Sequence, residues 1–131
     1  MALLNVLLIE DNLTFREVLK EHLEKHFPFM VIEEAANCGQ ALQRIHEISP
    51  HLIFMDMNLP EMNGLKLTQE IKKEFPGIHI AIITGYDLLE YQHAALQAGA
   101  DRLYQKDALK WEELENFINS ILHPSTASAF K

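Results

Sequence analysis

The sequence predicts one α/β domain, in which a parallel β-sheet is covered by helices on both faces. Short apolar runs alternate five times with segments whose apolar residues recur at helical spacing. The connections between them are short, and the 131 residues suffice for a single core. Four of the five runs are also followed by a charged or hydroxyl side chain. In a parallel sheet, these side chains would meet at one edge.

The five runs differ in how deeply we expect them to be buried. Leu52 to Met55 are consecutively apolar, which predicts a strand buried on both faces, because a half-exposed strand alternates with polar positions. The second run contains Glu33 and Glu34 near its end, which argues against a central place. The predicted strands are 5–9, 30–35, 52–55, 78–83 and 103–105.

Each predicted helix has an apolar face and an identifiable end. Asn12 is a plausible N-cap of the first helix, and Pro28 follows its last turn. Gly99 closes the fourth helix, whose weak apolar face predicts that it is the most mobile. The predicted helices are 13–27, 37–48, 65–75, 87–98 and 108–122.

Composition and charge exclude several classes of function. Lys and Arg total 11 against 19 Asp and Glu, giving a net charge of -8 that disfavours direct contact with nucleic acid. One cysteine, Cys38, excludes an intrachain disulfide. The N-terminus has no basic segment, and Glu10 and Asp11 interrupt it too early for a signal sequence or a membrane span. We therefore expect a cytoplasmic protein.

Polar side chains at the predicted strand ends form a candidate site. The residues are Glu10, Asp11, Asp56, Thr84 and Lys106. Like charges at about 4 Å repel by roughly 4 kcal/mol at an effective dielectric constant near 20, so three carboxylates need counter-charge. Their hard oxygen ligands favour Mg²⁺ or Mn²⁺ over zinc. Taken alone, Asp56 could instead simply cap the loop that follows it.

The predicted site suits phosphoryl transfer. It combines a carboxylate nucleophile, a metal, an ammonium group and a hydroxyl donor. Neither a Walker-type glycine-rich loop nor a dinucleotide-binding fingerprint follows any predicted strand. We therefore expect a domain that receives a phosphoryl group brought to it, rather than one that binds a nucleotide.

Over residues of about 4 to 122, the sequence resembles the CheY-like receiver domain of two-component response regulators. Glu10 and Asp11 match the family's acidic pair, Asp56 the phospho-accepting aspartate, Thr84 the switch hydroxyl and Lys106 the phosphate-pairing lysine; Asn58 matches the position whose backbone carbonyl completes the metal shell. Pro60 and Gly64 match the loop after the acceptor. The resemblance implies a flavodoxin-like (βα)5 fold of strand order 2-1-3-4-5, a bound Mg²⁺ and a sensor histidine kinase as partner. It implies signalling, with self-phosphorylation and dephosphorylation as the only catalysis.

Two features depart from the family pattern. The aromatic residue that commonly stands three positions before the lysine is Leu103 here, and the neighbouring Tyr104 points to the opposite face of its strand. We interpret Tyr104 as a packed strand residue, which puts the usual aromatic readout in doubt. Lys106-Asp107-Ala108 also lacks the common proline and resembles the subfamily with a LuxR-type helix-turn-helix output, which implies transcriptional regulation.

The resemblance also indicates how the chain divides and associates. We expect a receiver domain over 1–122 and a tail or linker stub over 123–131, whose composition is that of a linker. Phosphorylation would bias the face formed by helix 87–98, strand 103–105 and helix 108–122 toward a partner or a homodimer. Tyr86 could shield the phosphoryl group from water, or could be a surface loop residue.

Alternative functions remain open on the sequence. Leu103 favours an interaction module that acts without phosphorylation. A phosphohydrolase of the haloacid dehalogenase type needs a second aspartate where this chain has Asn58. His22 and His26 have the i, i+4 spacing of metal ligands, but we favour the interpretation that they lie on a solvated helix face.

Overall fold

The fold is a five-stranded parallel sheet with helices on both faces. A computed structural model of the chain describes residues 4–85 and 88–123. The sheet order is β2-β1-β3-β4-β5, and every pair of neighbours is parallel. The strands are β1 (Leu4–Ile9), β2 (Met30–Ala35), β3 (Leu52–Asp56), β4 (His79–Thr84) and β5 (Arg102–Gln105). The predicted fold class and strand order are confirmed, and the acidic second strand lies at an edge.

Five α-helices connect and cover the strands. They are α1 (Leu13–His26), α2 (Cys38–Ile48), α3 (Gly64–Glu74), α4 (Leu88–Ala98) and α5 (Trp111–Leu122). The first three begin alike, because the side chains of Asn12, Asn37 and Asn63 each accept a hydrogen bond from the backbone N–H three residues on. These bonds satisfy donors that a helix leaves free in its first turn.

The sheet separates two hydrophobic cores. Alternate residues of β3 point to opposite faces: Ile53 and Met55 join the core under α2, α3 and α4, whereas Leu52 and Phe54 join the core under α1 and α5. All five residues of β3 are buried. The prediction of a strand buried on both faces is confirmed, and Asp56 lies at its end.

The last helix begins later than predicted. A 3₁₀ turn covers Lys106–Ala108, and α5 starts at Trp111 rather than at residue 108. Leu109 between them is extended, with φ -68° and ψ 121°. From this conformation its partly buried side chain packs against the α1/α5 core, a tertiary contact that the helical pattern does not report.

Helix α4 has the weak apolar face that its sequence predicts. Among its described side chains, Ala95 is fully buried, while Leu89 and Leu96 are 84% and 58% exposed. Gly99 closes it at φ +104°, a conformation in which glycine meets no steric penalty. Asp87, the predicted first residue, lies outside the described residues, and the expected mobility of α4 stays a prediction. Across 4–85 and 88–123, the helices are too short or too polar to cross a bilayer.

Candidate functional site

Three carboxylates meet at the carboxyl edge of the sheet. Glu10 directly follows β1 and Asp56 ends the adjacent β3, so the topology brings the two together. One carboxylate oxygen each of Glu10, Asp11 and Asp56 lies within 4.8 Å of the others. Glu10 and Asp56 are both 3% exposed, whereas Asp11 faces solvent. The site is thus two buried acids covered by one exposed acid.

Lys106 brings a positive charge to the acids. Its Nζ lies 2.9 Å from Oε1 of Glu10 and 3.6 Å from Oδ1 of Asp56. The ammonium group also lies over the ring of Phe15, 4.9 Å from its centroid. Lys106 occupies the 3₁₀ turn directly after β5, so a strand two places away from β3 supplies this group. One ammonium group offsets only part of the charge of three carboxylates.

Glu10 is contacted by Lys106, by the backbone N–H of Asn12 and by Arg16. Its Oε2 accepts a hydrogen bond of 3.0 Å from the backbone N–H of Asn12, and its carbonyl oxygen accepts one of 2.6 Å from Nη1 of Arg16. Arg16 in turn pairs with Glu34 of β2 at 2.9 Å. The sequence predictions do not include these contacts of Phe15 and Arg16. Their place in the helical turn after the acidic pair was the available signal.

The environment of Asp56 disfavours its charged form. Burial, and then the carboxyl group of Glu10, raise the pKa of Asp56 from 3.8 to about 7. The backbone N–H of Asn58, 3.1 Å from Oδ1 of Asp56, and the charge of Lys106 lower it, but by less. Below about pH 7, the neutral form of Asp56 is therefore favoured.

The loop after Asp56 folds back closely onto the strand end. The N–H of Gly64 donates a 2.6 Å hydrogen bond to the carbonyl of Met57, and Asn58 pairs with Asn63 as an isolated bridge. A Cβ at position 64 would collide with the carbonyl oxygen of Asp56 and lie 2.9 Å from Cα of Met57. Glycine is thus required where the first turn of α3 approaches the site.

Thr84 lies at the end of β4. Leu103 and Tyr104, which precede Lys106, lie on β5. Thr84 is fully buried at the end of β4, one position beyond the Asp56–Ile83 pair. Leu103 packs toward α4, whereas Tyr104 is buried in the opposite core, and burial raises the pKa of Tyr104 to about 12. The interpretation of Tyr104 as a packed strand residue is confirmed. Tyr86 lies outside the described residues.

The donor set of the three acids fits a hard divalent cation. Carboxylate oxygens, with solvent access through the exposed Asp11, are typical ligands of Mg²⁺, which keeps several of its waters in proteins. Burial and then the carboxyl group of Glu10 raise the pKa of Asp56, and a cation would supply the counter-charge that this carboxyl group lacks. Asn58 is exposed, and its backbone N–H lies 3.1 Å from Oδ1 of Asp56.

Comparisons with known proteins agree with this geometry. Residues 6–119 match the response regulator receiver domain family. The chain is 36% identical over 96 residues to the chemotaxis protein CheY of Halobacterium salinarum, covering 73% of this chain and 78% of that protein. It is 32% identical over 111 residues to the transcriptional regulatory protein YhcZ of Bacillus subtilis, covering 85% of this chain and 51% of the relative.

A solved structure of a response regulator has the same fold. A LuxR-family two-component response regulator from Aurantimonas sp. superposes with a TM-score of 0.83 at 27% identity, covering 94% of this chain and 87% of that one. The chain spans about half the length of YhcZ. The family match over most of its residues, the sheet order and the strand-end acids lead to one conclusion: this chain belongs to the response regulator receiver domain family.

Proposed function

We propose that this receiver domain accepts a phosphoryl group on Asp56 from a sensor histidine kinase or a small phosphodonor. The observation that carries the proposal is the placement of the Asp56 carboxylate, buried at the end of a central strand, beside two further acids and within 3.6 Å of Lys106 Nζ. A nucleophile, a cation site and a charge partner for phosphoryl oxygens are thus within reach of one another.

In the proposed step, one carboxylate oxygen of Asp56 attacks the phosphorus of a phosphohistidine. An O–P bond forms, the P–N bond breaks, and the imidazole of the kinase leaves and takes up a proton from solvent. The product is an acyl phosphate on Asp56. Asp11, Asp56 and the carbonyl of Asn58 would hold Mg²⁺, with Glu10 reached through water, and the bound cation would offset charge on the phosphoryl oxygens.

Lys106 and Thr84 would bind the new phosphoryl group. Lys106 contacts Glu10 at 2.9 Å and Asp56 at 3.6 Å, so a small rotation of its ammonium group exchanges a carboxylate oxygen for a phosphoryl oxygen. Thr84 ends β4, the strand next to Asp56, and its hydroxyl group can donate a hydrogen bond to a phosphoryl oxygen. A shift of Thr84 would be passed to the loop that follows and to α4.

We propose that the output is transcriptional regulation through a separate domain or partner. Relatives include the transcriptional regulatory protein YhcZ and a LuxR-family response regulator. The face of α4, β5 and α5 is the proposed site of partner binding or homodimer formation, and Leu103 rather than an aromatic residue lies on its α4 side. We propose the reaction to be cytoplasmic, with 1–122 as the receiver and 123–131 as a tail or linker.

Intact mass spectrometry tests the proposal. The protein is incubated with acetyl phosphate and Mg²⁺, and we expect wild type and the control Asp107→Asn to gain one phosphoryl group, whereas Asp56→Asn gains none. Asp107 is a matched control because it is an exposed aspartate directly after Lys106. Phosphorylation of Asp56→Asn to the wild-type level would refute the proposal. Failure of wild type to react, with Mg²⁺ bound, would favour an interaction module that acts without phosphorylation.

A further inference from the structure

A second cluster of metal-binding side chains lies away from the three acids. His22 and His26 of α1 meet Glu115 of α5, and one ligand atom of each lies within 4.8 Å of the others. Nε2 of His22 is 2.9 Å from Oε2 of Glu115, and the two imidazole centroids are 4.3 Å apart. Residues separated by about ninety positions in the chain therefore form one constellation.

The interpretation of this helix face as solvated is wrong for His22 and confirmed for His26, which is exposed. The side chain of His22 is only 16% exposed and stacks on the indole of Trp111, with the centroids 4.1 Å apart and the planes inclined by 20°. Trp111 itself packs against the α1/α5 core. His22 is thus fixed by a ring contact and a carboxylate, while the exposed ring of His26 lies 4.3 Å from that of His22.

We propose that His22, His26 and Glu115 form a binding site for a divalent cation of the Zn²⁺ class, which links α1 to α5. Two imidazole nitrogens and one carboxylate are ligands of zinc and of its neighbours in the first transition series, and Mg²⁺ does not favour nitrogen. Ligand atoms around tetrahedral zinc lie about 3.4 Å apart, as follows from bonds of about 2.0–2.1 Å.

The observed geometry is close to that requirement. The His22–Glu115 separation of 2.9 Å needs only a slight opening, and the widest separation in the cluster, at most 4.8 Å, closes by rotation of the exposed His26. Zinc in proteins is usually four-coordinate, so three protein ligands leave one position for water. Water can reach this position because the side chain of Glu115 is 30% exposed. The two sites of the domain differ in their ligands. The acidic site at the strand ends offers only oxygen ligands, whereas the site between α1 and α5 offers mainly nitrogen ligands.

Calorimetric titration with Zn²⁺ tests the proposal, with excess Mg²⁺ present to occupy the acidic site. We expect one Zn²⁺ per chain in wild type and at least about tenfold weaker binding in His26→Ala and in Glu115→Gln, since even outer-shell changes cost that much at metal sites. His46→Ala is the matched control: His46 also faces a carboxylate, Glu74 at 3.6 Å, but belongs to no three-residue cluster among the described residues. It should bind Zn²⁺ as wild type does.

Fluorescence locates the bound ion independently. Trp111 is the only tryptophan in the sequence, so Cu²⁺ bound beside His22 should quench the emission in proportion to site occupancy in wild type and in Asp56→Asn. Because His26 is exposed, His26→Ala should fold normally, which its unfolding temperature in EDTA checks. Unchanged Zn²⁺ affinity in His26→Ala, or loss of Zn²⁺ binding in Asp56→Asn, would overturn the proposal. Neither outcome bears on phosphorylation of Asp56.

Discussion

The charge of a single residue, Asp56, is set by opposing influences: burial and Glu10 favour its neutral form, whereas the Asn58 N–H and Lys106 favour its charged form. Its carboxylate is buried against Glu10, and the Lys106 ammonium group 3.6 Å away does not offset this. A buried group without sufficient counter-charge destabilises the fold whenever it is ionised. At this residue, the proposed role as phosphoryl acceptor would therefore come at a cost in stability.

The pH dependence of stability should report this balance. The folded pKa of about 7 exceeds the ordinary 3.8, so between these values the folded protein holds a proton that the unfolded chain lacks. Wild-type stability from this group is therefore highest at low pH and falls as the pH rises through 7. Asp56→Asn, which cannot ionise, should gain roughly 1–4 kcal/mol in free energy of unfolding above pH 7 and progressively less toward pH 4.

Urea unfolding in EDTA at about pH 5 and about pH 8 measures the effect. Asp107→Asn, an exposed aspartate, serves as the control and should change little at either pH. An equal gain for Asp56→Asn at both pH values would contradict the raised pKa of this carboxyl group.

At the scale of elements, the approach of α3 to β3 depends on one missing side chain. Gly64→Ala would force a Cβ against the Asp56 carbonyl and within 2.9 Å of Met57 Cα, both of them backbone atoms that cannot rotate away. We expect a loss of about 1–3 kcal/mol in the free energy of unfolding, as for other overpacked sites. Gly77→Ala is the control, since nothing lies within 4 Å of its Cβ position. Equal stability of the two variants in urea unfolding would refute the close approach.

In strand β5, neighbouring side chains point to opposite faces of the sheet and pack in different cores. Tyr104 is 7% exposed inside the α1/α5 core, whereas Leu103 is only partly buried on the α4 side. Tyr104→Ala should cost about 3–5 kcal/mol, as truncation of a buried aromatic does, and Leu103→Ala should cost clearly less. Thermal or urea unfolding of the two variants compares them. A larger loss in Leu103→Ala would mean that the two faces of β5 are assigned wrongly.

At the scale of the whole molecule, the periodic parts of the sequence were predictable. Alternation and helical spacing located every strand and helix to within a few residues, because they reflect burial directly. Strand-end placement brought Glu10, Asp11 and Asp56 together correctly. The strand order came from the family resemblance.

Contacts between elements distant in sequence were not predictable from local patterns. The stacking of His22 on Trp111 and its pairing with Glu115 depend on how α1 and α5 cross, which no periodicity reports. The late start of α5 accompanies a tertiary contact, the packing of the partly buried Leu109 against the α1/α5 core. The same limit hid the ion pair between Arg16 of α1 and Glu34 of β2.

The most direct test of phosphoryl transfer to Asp56 is chemical trapping. Borohydride reduces an acyl phosphate to a primary alcohol, so protein treated with acetyl phosphate and Mg²⁺, then reduced and digested, should carry homoserine in place of Asp56. We expect this conversion at position 56 alone, and none when Mg²⁺ is replaced by EDTA. Homoserine at another aspartate, or an unmodified Asp56 in protein whose mass shows a phosphoryl group, would contradict it.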